Sequence, residues 1–216
     1  APPQPALVGP GELALAAAAA GAPTAVAVPG FLRPLGQIVD GYLVAEGPDG
    51  LVLVDQHAAH ERILYNRFLG RLQAGGGPSQ PMLLPEVVEL DPGQASTAAD
   101  HRAQLAGLGF ELEDFGPRAV RILAAPAETP PGRLAEALTE LLDELGGSAG
   151  GRLERAAATL ACHSAVRFGD TLDLSEQRRL LEQLEAEPDA ITCPHGRPTR
   201  LLLDWQELKR HFRRNY

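Results

Sequence analysis

The apolar and polar positions change period several times along the chain. Gln37–Ala45 (QIVDGYLVA) and Leu51–Asp55 (LVLVD) are short apolar runs that predict two strands. Gly47-Pro48-Asp49-Gly50 between them is hairpin chemistry. Beyond Asp55 the period lengthens: Ile63, Leu64, Phe68 and Leu72 predict a helix over Ala58–Leu72, stopped by Gly75-Gly76-Gly77-Pro78. The middle of the chain predicts a short strand at Val87–Leu90 and a helix at Ala95–Leu108 with Gly109 as its cap. Strands follow at Phe110–Phe115 and Arg118–Ala124, then a helix at Leu134–Leu145. The last third predicts a helix at Leu153–Arg167 and a second at Glu176–Leu184 with Ser175 as N-cap. A loop at Cys193–Pro198, a strand at Thr199–Leu203 and a helix capped by Asp204 and running through Phe212 complete the pattern.

The order is that of an α+β protein of two lobes. The first and last segments, 31–85 and 151–216, form one lobe, and 86–150 an inserted external lobe. Residues 1–30 hold 11 Ala, 6 Pro and 4 Gly with one charge, Glu12, and read as a flexible linker in which Leu13–Ala20 could form a turn or two of helix. With alanine at position 1 and Met82 the only methionine, the sequence reads as a piece of a longer protein or a processed product. No signal peptide is evident, and no apolar run reaches the roughly 18 residues of a membrane span.

The net charge is −9, and −8 once Glu12 is set aside. A protein that grips DNA phosphates by itself carries the opposite sign, so a nucleic-acid substrate requires help from elsewhere. Two cysteines in 216 residues do not make a disulfide scaffold.

Three clusters carry candidate chemistry. Asp55-Gln56-His57-Ala58-Ala59-His60-Glu61 sits at a strand-to-helix junction, with His57 and Glu61 on one helix face. It reads as a metal site or, equally simply, as a helix cap beside an exposed His–Glu pair. Cys193-Pro194-His195-Gly196-Arg197-Pro198 offers a thiolate and an imidazole in a stiff loop. Cys162, in Ala161-Cys162-His163-Ser164-Ala165, reads as helix core by itself. Together Asp55, His57, Glu61, Cys162, Cys193 and His195 form a mixed donor set: thiolate and imidazole suit zinc, carboxylates suit Mn²⁺ or Mg²⁺. Such a set suits phosphodiester cleavage by a pair of ions. A thiol hydrolase built on either cysteine is the weaker reading of the same residues.

These runs resemble the C-terminal domain of the MutL family of DNA mismatch-repair proteins, in its endonuclease-bearing form. Asp55-Gln56-His57-Ala58 with Glu61 matches the nuclease motif, except that Asn66 stands where the motif ends in Glu. Ala161–Ala165 matches the ACxxA helix motif, Cys193–Pro198 the CPHGRP loop, and Phe212-Arg213-Arg214 the terminal Phe-x-Arg. The resemblance covers about Phe31–Tyr216. It implies a homodimer built from the first and last segments. It also implies a latent endonuclease that nicks one DNA strand with Mn²⁺ or Mg²⁺, with zinc in or beside the site. Asp55, His57 and Glu61 would be catalytic, all six donors would form the metal cluster, and Arg197 and Arg214 would be basic residues near it. Gln80-Pro81-Met82-Leu83-Leu84-Pro85 resembles the peptide with which bacterial MutL proteins bind the replication sliding clamp.

Double-stranded DNA, the clamp and a MutS-type mismatch-recognition protein are the implied partners, and the bacterial cytoplasm, at the nucleoid, is the implied location. ATP would act only through an N-terminal domain upstream. The alternative is a catalytically silent dimerisation and clamp-docking module with a structural zinc; an unrelated zinc hydrolase of small molecules is a third reading. Asn66 implies a weaker second ion and a greater need for Mn²⁺.

Overall fold

The structure is a computed structural model that describes residues 31–39, 41–148 and 150–213. The linker expected at 1–30, its helical turn at Leu13–Ala20 and Arg214 lie outside the described residues.

Two antiparallel sheets organise the chain, in agreement with the expected α+β class. The first is four-stranded, in the order β1 (Arg33–Ile38), β2 (Tyr42–Glu46), β3 (Gly50–Asp55), β7 (Arg200–Asp204). The run read as a single strand over Gln37–Ala45 is in fact the end of β1, a turn, and most of β2. The local turn signal is Gly41, set inside an apolar run. Gly41 has no room for a side chain, because a Cβ there would lie 2.2 Å from the Phe168 ring.

β3 feeds directly into the long helix α1 (Gln56–Ala74). Asp55 caps it, its Oδ1 accepting from Ala58 N at 3.0 Å, and Gly75 ends it in the left-handed conformation. Ala59 and Ile63 enter a core with Leu43, Ala45, Val52 and Val54 of the first sheet and Leu180, Leu181 and Leu184 of α6 (Leu174–Ala186). One helical step around, Leu64 and Phe68 enter a second core.

That second core lies against the other sheet, in the order β4 (Gln80–Glu89), β6 (Ala119–Ala125), β5 (Glu111–Asp114). Apolar side chains of α3 (Arg102–Leu108), α4 (Leu134–Gly146) and α5 (Arg152–Ser164), with Ala98 of α2 (Pro92–Asp100), complete it. The helix expected over Ala95–Leu108 divides at His101, whose φ of −113° and ψ of 24° leave the helical region, so α2 and α3 are separate. β4 is longer than the expected Val87–Leu90. It pairs with β6 at Gln80 and Pro81 and again from Glu86, and Met82–Pro85 bulge out between.

Asp173, not Ser175, caps α6: it forms a reciprocal capping box with Glu176, the Asp-x-x-Glu spacing that marks a helix start. Asp204 caps the short α7 (Trp205–His211), as expected. α5 stops at Ser164, short of the expected Arg167, because Ala165 is already extended with ψ of 147°.

Phe68 and Phe110 are the largest fully buried side chains of the second core. Phe68→Ala is expected to cost about 3–5 kcal/mol in urea unfolding, the range for a truncated core aromatic. A loss under about 1 kcal/mol would show that the second core does not depend on this α1 side chain for its packing.

Candidate metal centre

The site is assembled around the first turns of α1. Beginning at Asp55, nearly every polar side chain there has its own task. Asp55 caps the helix. Gln56 is fully buried; its Nε2 donates to Arg167 O at 2.8 Å and Asp170 O at 3.0 Å, and its Oε1 accepts from Gln37 at 2.7 Å. His57 Nδ1 lies 2.9 Å from Val166 O and therefore carries the proton. His60 Nδ1 accepts from Val166 N at 3.0 Å and therefore does not. The two histidines hold both backbone groups of a single residue, and that is what ends α5 early.

Glu61 faces the Cys193–Pro198 loop. Its side chain is 1% exposed, and His195 Nδ1 stands 2.9 Å from Oε1. No donor meets either carboxylate oxygen at hydrogen-bonding angle, so the His195 ring at ion-pair distance is what the protein sets against this buried charge. One donor atom from each of Glu61, Cys193 and His195 lies within 4.8 Å of the others. Among the described residues this is the one group of three or more such side chains close enough to share an ion.

The loop itself is tight: Cys193 N donates to Arg197 O at 2.8 Å, Gly196 N donates to Cys193 O at 2.9 Å, and Gly196 adopts a φ of 79°. Burial raises the pKa of the Cys193 thiol, and the Glu61 carboxylate raises it further. Cys162, exposed near the end of α5, is raised by partial burial and then by the charges of Glu61 and Glu140, against which Arg197 acts. A cation among these groups would reverse that balance and hold the thiols as thiolates.

Of the six expected donors, then, three converge: Glu61, Cys193 and His195. Cys162 is near enough to sense Glu61. Asp55 and His57 stand at the start of α1 and serve, respectively, as cap and as donor to Val166, so neither belongs to the three-residue group. His57 keeps Nε2 for a further partner, its other nitrogen being fixed by the Val166 carbonyl as backbone carbonyls fix metal-binding imidazoles. Arg197 is exposed. Asn66, at the motif's divergent position, donates to Glu187 at 2.6 Å. Sequence reasoning assigned nothing to Gln56, His60 or Arg62. The available signal was their polarity at positions that α1 must bury or half-bury.

An α+β chain with two antiparallel sheets and a carboxylate–thiol–imidazole group between a helix and a Cys-Pro-His loop is of the kind the sequence resembles. Residues 35–172 match the family model of the MutL C-terminal dimerisation domain, and the chain belongs to that family. Proteins named DNA mismatch repair protein MutL are similar to it over most of its length. That of Rhizorhabdus wittichii is 43% identical over 184 residues, 83% of this chain and 31% of the relative. That of Caulobacter vibrioides is 41% identical over 190 residues, 84% of this chain and 30% of the relative. That of Sphingopyxis alaskensis is 44% identical over 184 residues, 83% and 30%. The chain thus spans about a third of the length of these relatives. No helix among the described residues is long and apolar enough to cross a membrane.

The His60 ring yields a pH prediction. Burial first, then the charges of Arg67 and His57, lower its pKa to about 4. In the unfolded chain it titrates near about 6.5. Stability from the neutral ring is therefore complete above about pH 6.5 and declines as pH falls from there toward 4, where the folded protein protonates too. NMR of the ring protons in metal-free protein should give a midpoint near 4. A midpoint close to that of an unstructured histidine would show that the ring is not buried as the structure has it.

Proposed function

We propose that this chain is the dimerisation and metal-dependent DNA-nicking domain of a mismatch-repair protein of the MutL type. The observation that carries the reading is the buried Glu61 carboxylate with His195 Nδ1 2.9 Å away and Cys193 beside it, three donors close enough to share an ion. Those three would hold zinc together with Cys162, and Asp55, His57 and Glu61 would hold or orient Mn²⁺ or Mg²⁺. A divalent ion held there supplies a water of lowered pKa and positive charge for the phosphate at which one strand is cut. The chain's own part is to fix the donors. Val166 O holds the His57 ring, burial keeps competing water from Glu61, and exposed Arg197 offers a cation to the DNA backbone. The negative net charge leaves most of the DNA grip to the rest of the full-length protein, which is also where ATP would act.

The family is a dimerisation domain. The outward face of the first sheet presents Tyr42, Val44, Leu51, Leu53, Leu201 and Leu203, all half-buried or exposed, whereas Leu43, Ala45, Val52 and Val54 on its inner face are fully buried. A second copy of the chain covering that face would make the homodimer.

The bulge at Met82–Pro85 supports clamp docking. Leu83 is 96% exposed and Leu84 80%, beside a groove of about 460 Å³ lined by Gln80, Met82, Pro126 and Pro130. Two apolar side chains held out on a bulged strand, with Gln80 and Pro85 at its ends, suit insertion into an apolar pocket of the clamp. The silent-module reading is favoured by one observation, the use of Asp55 as a helix cap.

Two assays test these readings. Supercoiled plasmid should be nicked in Mn²⁺ with sliding clamp present by the parent chain and not by Asp55→Asn or Cys193→Ser. Cutting by both variants, or by none of the three, would leave the docking module as the function of this chain. In a pull-down, Gln80→Ala with Leu83→Ala should abolish clamp binding. Unchanged binding would remove the clamp assignment.

A further inference from the structure

Arg62 follows Glu61 in sequence but points to a different task. Its Nε donates to Thr192 O at 2.6 Å, and Thr192 immediately precedes Cys193. Its Nη1 reaches Asn66 Oδ1 at a longer 3.4 Å, and Asn66 Nδ2 donates to Glu187 Oε2 at 2.6 Å. The orientation of the Asn66 amide is dictated by its neighbours: a guanidinium only donates and a carboxylate only accepts, so only a group with one of each bridges them. Arg62 and Asn66 are four apart on α1 and share a face. Glu187 caps the end of α6, and Thr192 stands at the mouth of the Cys193–Pro198 loop.

We propose that Arg62 and Asn66 are positioning residues of the candidate metal centre, a two-point clasp that holds the 187–195 segment so that Cys193 and His195 meet Glu61. The proposal rests on the metal reading above and extends it. It gives position 66 a role that an acid cannot fill, since a carboxylate there would confront that of Glu187. The acidic group of this contact sits on the loop side, and the helix side supplies the neutral bridge.

The test uses the full chain and two readouts other than cleavage. One is zinc affinity, by competition with a chromogenic chelator. The other is amide exchange of Cys193 and Gly196 in metal-free protein, both amides being bonded within the loop. Arg62→Met should weaken zinc binding by about 10- to 100-fold, as loss of an outer-shell partner does, and speed exchange of both amides about tenfold or more. Arg62→Lys, which retains one donor for Thr192 O, should recover part of both. Asn66→Glu should weaken zinc binding, and Glu187→Gln added to it should restore it, because the donor and acceptor are then exchanged across the same contact. Unchanged zinc affinity and exchange in Arg62→Met would overturn the clasp. So would Asn66→Glu binding zinc more tightly, which would make position 66 a ligand. Unchanged zinc affinity in Cys193→Ser would instead refute the metal centre, and amide exchange would still decide the clasp by itself.

Discussion

Helix α1 carries apolar side chains into two cores at once, and that fixes its rotation about its own axis. Ala59 and Ile63 belong to the core of the four-stranded sheet, Leu64 and Phe68 to that of the three-stranded sheet. A helix packed on one side can turn its polar residues to water. One packed on two sides must find partners for whatever remains. The polar residues of its first turns therefore meet backbone: Val166 through His57 and His60, Arg167 and Asp170 through Gln56, Thr192 through Arg62. Glu61 is the exception. It is as deeply placed as the others, and it meets the side chains of His195 and Cys193 instead of backbone.

The fold around α1 was largely written in local chemistry. The shift from period two to period 3.6 at Asp55 located the β3–α1 junction, and Gly75, Gly109 and Asp204 ended or began helices as their side chains, or lack of them, require. The failures have local causes too. The turn at Gly41 is submerged in the apolar run QIVDGYLVA, so two strands read as one. His101 divides a helix at a position where no glycine or proline announces it. The end of α5 could not be read from its own sequence at all, since two histidines more than a hundred residues earlier hold the peptide of Val166.

The candidate site was legible as residue types and only partly as geometry. Cys-x-His in a proline-stiffened loop and Glu61 on a helix face do converge. The spacing of Asp55, His57 and Glu61 suggested a single cluster. Yet an aspartate at the first position of a helix is also the best cap, and the backbone N–H of Ala58 claims it. Asn66 read as a weakened ligand; its bond to Glu187 comes from a segment 121 residues away, which no local pattern reports.

The far end of α1 is anchored as firmly as its beginning. Arg71, 9% exposed, and Arg67 both hold Glu128, and Glu128 lines the groove beside Leu83 and Leu84. Glu61 and Arg71 are ten positions apart on one unbroken helix, about 15 Å along its axis at 1.5 Å per residue. α1 is thus a ruler as well as a scaffold. The helix sets a fixed stand-off, counted in turns, between the groove beside Leu83 and Leu84 and the carboxylate–thiol–imidazole group.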